Sequence, residues 1–444
     1  MRRAGQVVIM LALAACGART GILPYLEPDE LADASLDRPD ASTQESRAAP
    51  PDATRPPPVD APVDARPDVA PPVTCGAPDP TKPLLLAETV AQELGGVAAG
   101  GCTFAVVWME NHGIDGLPLV ARTARVVDGA WTLSPRAIIT HTVDDNGGVA
   151  TIAWDGAAYV VVWIDQNAAA ENTLFMRRLS PDGTILGPKV ASAVSLGPDS
   201  YPVGVDATAD SMRLLLLDDR NQQFSYHLYA TAIASDGAVL SPPTDLTPRS
   251  ADVDLGGVHW DPDLLLWADD TNVVRIPLDL TTFAQPGGST GREMLLPRSS
   301  EMLPGGLAMA QGGDGNGTIY FGAWEGGGLG SVIVDTVAPG GPPGAPSVVR
   351  VKGVAGADVP ELAVIARAPP ASDVVGALAG GDGTTGGPSD LYLSTVSDGV
   401  TTGTEVVVRG EASSDEYAFA AGMESFGIYW ATSDALKLTI RTPP

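Results

Sequence analysis

Positive charge is what this chain most lacks. It carries 26 lysines and arginines against 54 acidic residues, a formal net charge of -28. Only four of the basic residues are lysines: Lys82, Lys189, Lys352 and Lys437. No basic stripe interrupts the acidic balance, so a nucleic-acid partner is excluded and anionic lipid head groups are disfavoured, because both repel a surface of their own sign. Schiff-base and imidazole chemistry also have few candidates, since the four histidines (His112, His141, His227 and His259) are scattered. His259, next to Trp260 in an expected strand, reads as a hydrogen-bonded packing residue. There is no His-Glu-x-x-His, no Walker Gly-x-x-x-x-Gly-Lys and no Cys-x-x-Cys. Beyond the first residues, no segment approaches the roughly 20 apolar residues that a membrane-spanning helix needs.

The first sixteen residues are organised differently from the rest. Arg2 and Arg3 precede an apolar run from Val7 to Leu13, and the small pair Ala14-Ala15 leads to Cys16. Leu13-Ala14-Ala15-Cys16 resembles the lipobox of bacterial lipoprotein signals. The resemblance implies that residues 1–15 are a signal peptide, that Cys16 takes the lipid as the mature N-terminus, and that the body is exported to an oxidising compartment of the cell envelope. Gly17 stands where an Asp would favour inner-membrane retention in some lipoproteins, so the outer membrane is the expected address. Residues 16–74 are rich in Pro, Ala and Asp, as in Arg55-Pro56-Pro57-Pro58-Val59-Asp60-Ala61-Pro62. Such a segment has too little apolar area to form a core, and its prolines favour extended polyproline II. It reads as a disordered acidic tether reaching on the order of 150 Å.

From residue 75 to 444 the chain consists of short apolar runs divided by Gly and Asp turns. Asp128-Gly129, Asp182-Gly183, Asp236-Gly237 and Asp398-Gly399 lie 54, 54 and 162 residues apart, and 162 is three periods of 54. The best-preserved repeat runs Val149–Trp154, a turn at Asp155-Gly156, Tyr159–Trp163, Leu174–Leu179, a turn at Asp182-Gly183, then Ile185–Val190. β-branched runs joined by Asp-Gly make hairpins, so each repeat is expected to be a sheet of four antiparallel strands, a to d. Seven starts of a strands follow, near Val97, Val149, Val205, Val258, Leu307, Leu362 and Ala418, and the last repeat has no d strand. Leu84 to Val90, ahead of the first repeat, is the spare strand that would supply it. The pattern resembles a seven-bladed β-propeller closed by an N-terminal strand, an all-β fold without a kelch, WD or sialidase signature. Trp108, Trp163, Trp267, Trp324 and Trp430 recur at the ends of b strands and are expected to pack between blades. A monomeric propeller is expected.

With Cys16 lipidated, Cys75 and Cys102 are left to form a disulfide across the closure or to remain free thiols. The b–c loops carry recurring acids and amides: Glu110, Asp165 and Asn167, Asp219 and Asn221, Asp270 and Asn272, and Glu325. Two readings of them stay open. They are turn residues that cap their own backbone, or they form a negative face that attracts a cationic partner or binds Ca²⁺ through oxygen ligands. No other cofactor is expected. With the His-Glu-x-x-His, Walker and Cys-x-x-Cys motifs missing, the expectation is a non-catalytic module that binds a protein or glycan partner. The alternative is a propeller hydrolase or lyase acting on an extracellular polymer, and its mark would be a cluster of unlike polar residues at the channel mouth.

Overall fold

The computed structural model describes Cys75 and most of residues 79–442, interrupted at connections of which the longest are 143–149, 278–292, 298–306, 338–346, 350–361, 366–372 and 380–388. Side chains are described chiefly within 95–110, 118–141, 150–166, 171–220, 226–246, 405–410 and 418–442. Cys16 and the tether expected over 16–74 lie outside the described residues.

The described strands form seven antiparallel sheets. Their a strands are Ala91–Gly100, Ala150–Trp154, Ser200–Ala207, Val253–Asp261, Leu307–Gln311, Leu362–Ile365 and Tyr417–Ala421. Each a strand touches the next, and that of blade 7 touches that of blade 1, so the innermost strands close a ring. The 54-residue period is thus the period of a β-propeller blade, and all seven expected starts fall on or next to an observed a strand. Blade 2 matches its sequence reading closely, with strands at Ala150–Trp154, Tyr159–Gln166, Asn172–Leu179 and Ile185–Ala191.

Local chemistry accounts for the turns. Asp128 and Gly129 both have positive φ, 51° and 76°, the conformation of the two-residue turn that follows strand twist. Gly183 and Gly237 take the same left-handed region at 84° and 91°. Asp398-Gly399 lies outside the described residues.

Blade 1 departs from the four-strand expectation. Its d position is split into Ala130–Leu133 and Ala137–Thr142, both paired with Leu117–Val127. The break falls at Ser134-Pro135. Pro135 has no N–H to donate to a ladder, and Ser134 instead closes the gap by donating its N–H to Thr123 O at 2.8 Å and accepting the Thr123 N–H on Oγ at 2.9 Å.

The ring is closed as expected, by a shorter strand than the sequence suggests. Leu84–Ala87 pairs with Leu436–Arg441 through Leu84↔Leu438, Leu85↔Lys437 and Ala87↔Leu436, with an irregularity between Leu85 and Ala87. Glu88 already bends away, and 89–90 lie outside the described residues. Arg122 of blade 1 reaches across and donates Nη1 to Leu85 O at 3.1 Å and Leu86 O at 2.9 Å. Cys75 and Cys102 are bonded, with Cα atoms 5.1 Å apart.

The core lies in the layers between neighbouring blades. Phe104, Trp108 and Val120 of blade 1 pack with Tyr429, Leu436 and Leu438 of blade 7 and with Leu86 of the closing strand. Ala105, Val107 and Met109 face the other way, onto Ile152, Tyr159 and Trp163 of blade 2. The alternation within Thr103–Glu110 therefore serves two cores, one on each face, which is why the strand reads as a continuous apolar run. Trp108, Trp163 and Trp430 are fully buried, as packing residues should be. The side chains of Trp267 and Trp324 lie outside the described residues. Gly427 allows the approach of blade 1 to blade 7, since a Cβ there would meet the Phe104 ring at 2.5 Å.

Candidate functional site at the mouth of blade 3

The connection from blade 2 to blade 3 and the b–c connection within blade 3 leave the same end of the ring. They are tied together by Asp218, the last residue of strand Ser211–Asp218. Its buried carboxylate accepts the Gly197 N–H at 3.0 Å and the Ser200 hydroxyl at 2.8 Å from one loop. From the other it accepts the Arg220 N–H at 2.8 Å and Nε at 2.9 Å, with Nη2 at 2.5 Å. Burial works against ionisation, but these donors outweigh it and hold the Asp218 carboxyl below the ordinary range. Gly197 is required by the knot, because a Cβ there would sit 2.5 Å from Asp218 Oδ1. Asn172 secures the loop from blade 2, donating Nδ2 to Pro198 O at 2.6 Å.

Around the knot stand groups of different chemistry. Asp199 and Asp219 are locked reciprocally: the Asp199 N–H donates to Asp219 Oδ1 at 3.0 Å, and the Asp219 N–H to Asp199 O at 3.2 Å. Tyr201, second residue of the innermost strand, and Tyr226, just before strand His227–Ala234, bring their rings to 5.8 Å between centroids. Both rings are half-buried and Asp199 is exposed, so solvent reaches the group. Partial desolvation, then the charge of Asp219, raises the Asp199 carboxyl above its usual value. Burial, then Tyr201 and the two carboxylates, pushes the Tyr226 phenol up, so it keeps its proton. Arg220 lies over the Tyr229 ring at 4.2 Å with its guanidinium engaged by Asp218. Beneath, His227 Nδ1 pairs with Asp245 Oδ2 at 2.9 Å. Two carboxylates and two phenols at the inner end of one blade are unlike anything repeated in the others among the described residues.

The recurring acids do something else. Glu110 is buried and takes Arg136 Nε at 2.9 Å, with a second contact to Nη2. Asp165 is buried and accepts the Gln166 N–H at 2.9 Å. Asp219 is buried in the reciprocal pair just described. The negative loop face is corrected at these three positions, where the acids turn inward to donors: Glu110 to the Arg136 guanidinium, Asp165 to the next backbone N–H, and Asp219 to a backbone N–H of the connection from blade 2. Asn167, Asn221 and Asp270 lie outside the described residues, as do the side chains of Asn272 and Glu325. Among the described residues no group of three or more His, Cys, Asp or Glu is placed to hold a metal. One Gly-x-Ser-x-Gly pentapeptide, Gly287 to Gly291, also lies outside them. That spacing marks a nucleophile on a strand-to-helix turn, whereas the described elements flanking it are both strands, Asn272–Pro277 and Glu293–Pro297.

The sequence pattern singled out Asp219 and Asn221 in this loop but passed over Asp199, Tyr201 and Tyr226. The signal was the pairing of a tyrosine with an acid on each of two loops that leave the same end of a blade.

No family model matches the chain, and neither does any curated protein. Solved structures do. The chain is similar to a polysaccharide lyase of family PL25, an ulvan lyase, at a TM-score of 0.56 and 10% identity over 82% of this chain and 96% of that one. The same values hold for the ulvan lyase bound to -[GlcA(1-4)Rha3S]-. A subtype N10 neuraminidase-like protein of A/little yellow-shouldered bat/Guatemala/060/2010 aligns more loosely, at a TM-score of 0.40 and 11% identity over 81% of this chain and 96% of that one. Likeness at this identity establishes the propeller fold. The expectation of a non-catalytic module and of no enzyme is corrected: it rested on missing linear motifs, and a propeller matched over 96% of its own length is a polysaccharide lyase, which favours the alternative of a polymer-acting enzyme. Propeller sites are assembled from loops of different blades, which leave no contiguous motif.

Proposed function

We propose that this propeller is an enzyme that cleaves an extracellular polysaccharide, with Asp199, Asp219, Tyr201 and Tyr226 at the blade 3 mouth as its candidate catalytic group. The observation that carries the proposal is the convergence of these unlike groups, with Asp199 exposed, Tyr201 and Tyr226 half-buried, and Asp219 buried against Asp199. Glycosidic cleavage by water needs a carboxylic acid that still holds its proton to protonate the leaving oxygen, and a second carboxylate to guide water or stabilise positive charge. Asp199, with its raised pKa, suits the first role, and Asp219 the second. The C–O bond breaks, Asp199 delivers its proton to the departing oxygen, and water supplies the new hydroxyl and restores the proton. Tyr226, whose phenol is pushed up, donates a hydrogen bond. A phenol acting as the base of β-elimination would need a lowered pKa, whereas that of Tyr226 is pushed up, so hydrolysis is favoured over the elimination of the ulvan lyase.

The test is a panel of neutral and acidic polysaccharides incubated with the mature protein, with products read by mass spectrometry. Fragments carrying an added water support hydrolysis; unsaturated fragments indicate elimination. Failure to cleave any polymer, or full activity of Asp199→Asn, would sink the proposal.

We also infer that the chain is an envelope lipoprotein, lipidated at Cys16 and sorted to the outer membrane, with residues 16–74 as the tether. The Leu13–Cys16 tetrapeptide supports this. Incorporation of a labelled fatty acid that is lost in Cys16→Ser is the expected result.

A further inference from the structure

The loop closed by Cys75 and Cys102 contains the whole N-terminal half of the ring's seam. Their sequence separation is 27 residues. Inside it lie Asp79 and Pro80, the closing strand Leu84–Ala87 and the complete innermost strand of blade 1, Ala91–Gly100. Cys102 sits in the turn that begins the next strand, Thr103–Glu110. Covalent connectivity then dictates how a pull from the N-terminus travels. Tension reaching Cys75 crosses the sulfur bridge to Cys102 and enters blade 1, and residues 76–101 carry none of it.

Without the bridge the same tension would enter one of the shortest pairings among the described strands. The closing strand has three register pairs with an irregularity among them. Around it are the two Arg122 bonds to Leu85 O and Leu86 O, the Asp79 carboxylate accepting the Thr442 N–H at 2.9 Å, and Arg441 Nη1 donating to Pro80 O at 3.1 Å. All of these hold segments that would be loaded first. We propose that the Cys75–Cys102 disulfide is a load-bearing, redox-controlled latch, which keeps force arriving along the N-terminal segment off the propeller's closing strand. A dithiol opens it. One thiolate attacks a cystine sulfur, the S–S bond breaks to a mixed disulfide, and the second thiol displaces the remaining cysteine. Two electrons pass from the dithiol, leaving two cysteine thiols and an oxidised dithiol. The lipid anchor would be a source of such tension, but the latch does not depend on it.

Single-molecule stretching tests this directly, with one handle fused upstream of Cys75 and the other at the C-terminus of the mature chain. Unreduced protein should show no early step of the length of residues 76–90; peeling of Leu436–Arg441 by the C-terminal handle is common to both states. In dithiothreitol, an early step releasing residues 76–90, roughly 50 Å of chain, should appear, and the total extension should grow by roughly 90 Å. At constant tension the closed ring should fail at least about tenfold faster when reduced. Cys75→Ser with Cys102→Ser should reproduce the reduced trace, and reduced wild-type protein serves if that variant does not fold. An early step of the same size in unreduced protein would overturn the proposal. So would a reduced protein in which the closing strand holds as long as the rest of the ring.

Discussion

Asp199 is the residue on which the proposed chemistry depends, and its protonation sets the expected pH behaviour. A general acid must hold its proton, so activity should fall as pH rises through its raised pKa. Asp199→Asn should lower kcat by about 100-fold or more and remove that alkaline limb, while leaving the melting temperature close to wild type, because the side chain is exposed. Asp218 behaves oppositely. Its folded pKa lies below the unfolded value of about 3.9, so its contribution to stability is fully present above that value and is lost as pH falls through the folded pKa. Asp218→Ala leaves the Gly197 N–H, the Ser200 hydroxyl and the Arg220 guanidinium without their acceptor. It should cost about 3 kcal/mol near neutral pH and flatten the acid limb of the stability profile, both measurable by urea melts across pH. The knot was partly legible, since Asp218, Asp219 and Arg220 are adjacent in sequence. The site was not, because Asp199 and Tyr201 meet Asp219 and Tyr226 only when two loops about twenty residues apart are brought to one end of a sheet.

At the scale of the element, the fold was legible wherever a strand repeated at a 54-residue interval with Asp-Gly turns to fix the register. It was less so where one residue broke the pattern. Pro135 divides the outer strand of blade 1, and no period announces such a break. The direction in which the b-strand acids face was also hidden. Glu110 and Asp165 look like surface turn residues until Arg136 and the Gln166 N–H are seen opposite them. The closing strand shows how much a short element can carry. Leu86 is the one closing-strand residue fully inside the layer between blades 7 and 1, among Trp108, Tyr429 and Leu438. Leu86→Ala should destabilise the protein by about 2–3 kcal/mol in chemical denaturation. Leu85→Ala, at an exposed position paired on the same strand, should cost well under 1 kcal/mol. Equal losses at the two positions would mean that the strand is not held by its inward face.

For the whole molecule the net charge of -28 is the governing quantity. An acidic polymer approaching such a surface meets repulsion whose range is the Debye length, roughly 10 Å at 0.1 M salt and 3 Å at 1 M. A neutral polymer meets none. At the blade 3 mouth the Arg220 guanidinium, a cation that could meet an acidic group, is engaged by Asp218. If both kinds of polymer are cleaved, KM for the acidic one should fall as salt is raised, whereas KM for the neutral one should stay level. The expected ratio between the two therefore narrows with ionic strength, while kcat, set within the site, stays unchanged for each. A KM for the acidic polymer that rises with salt would instead show a cationic binding surface outvoting the charge of the whole chain.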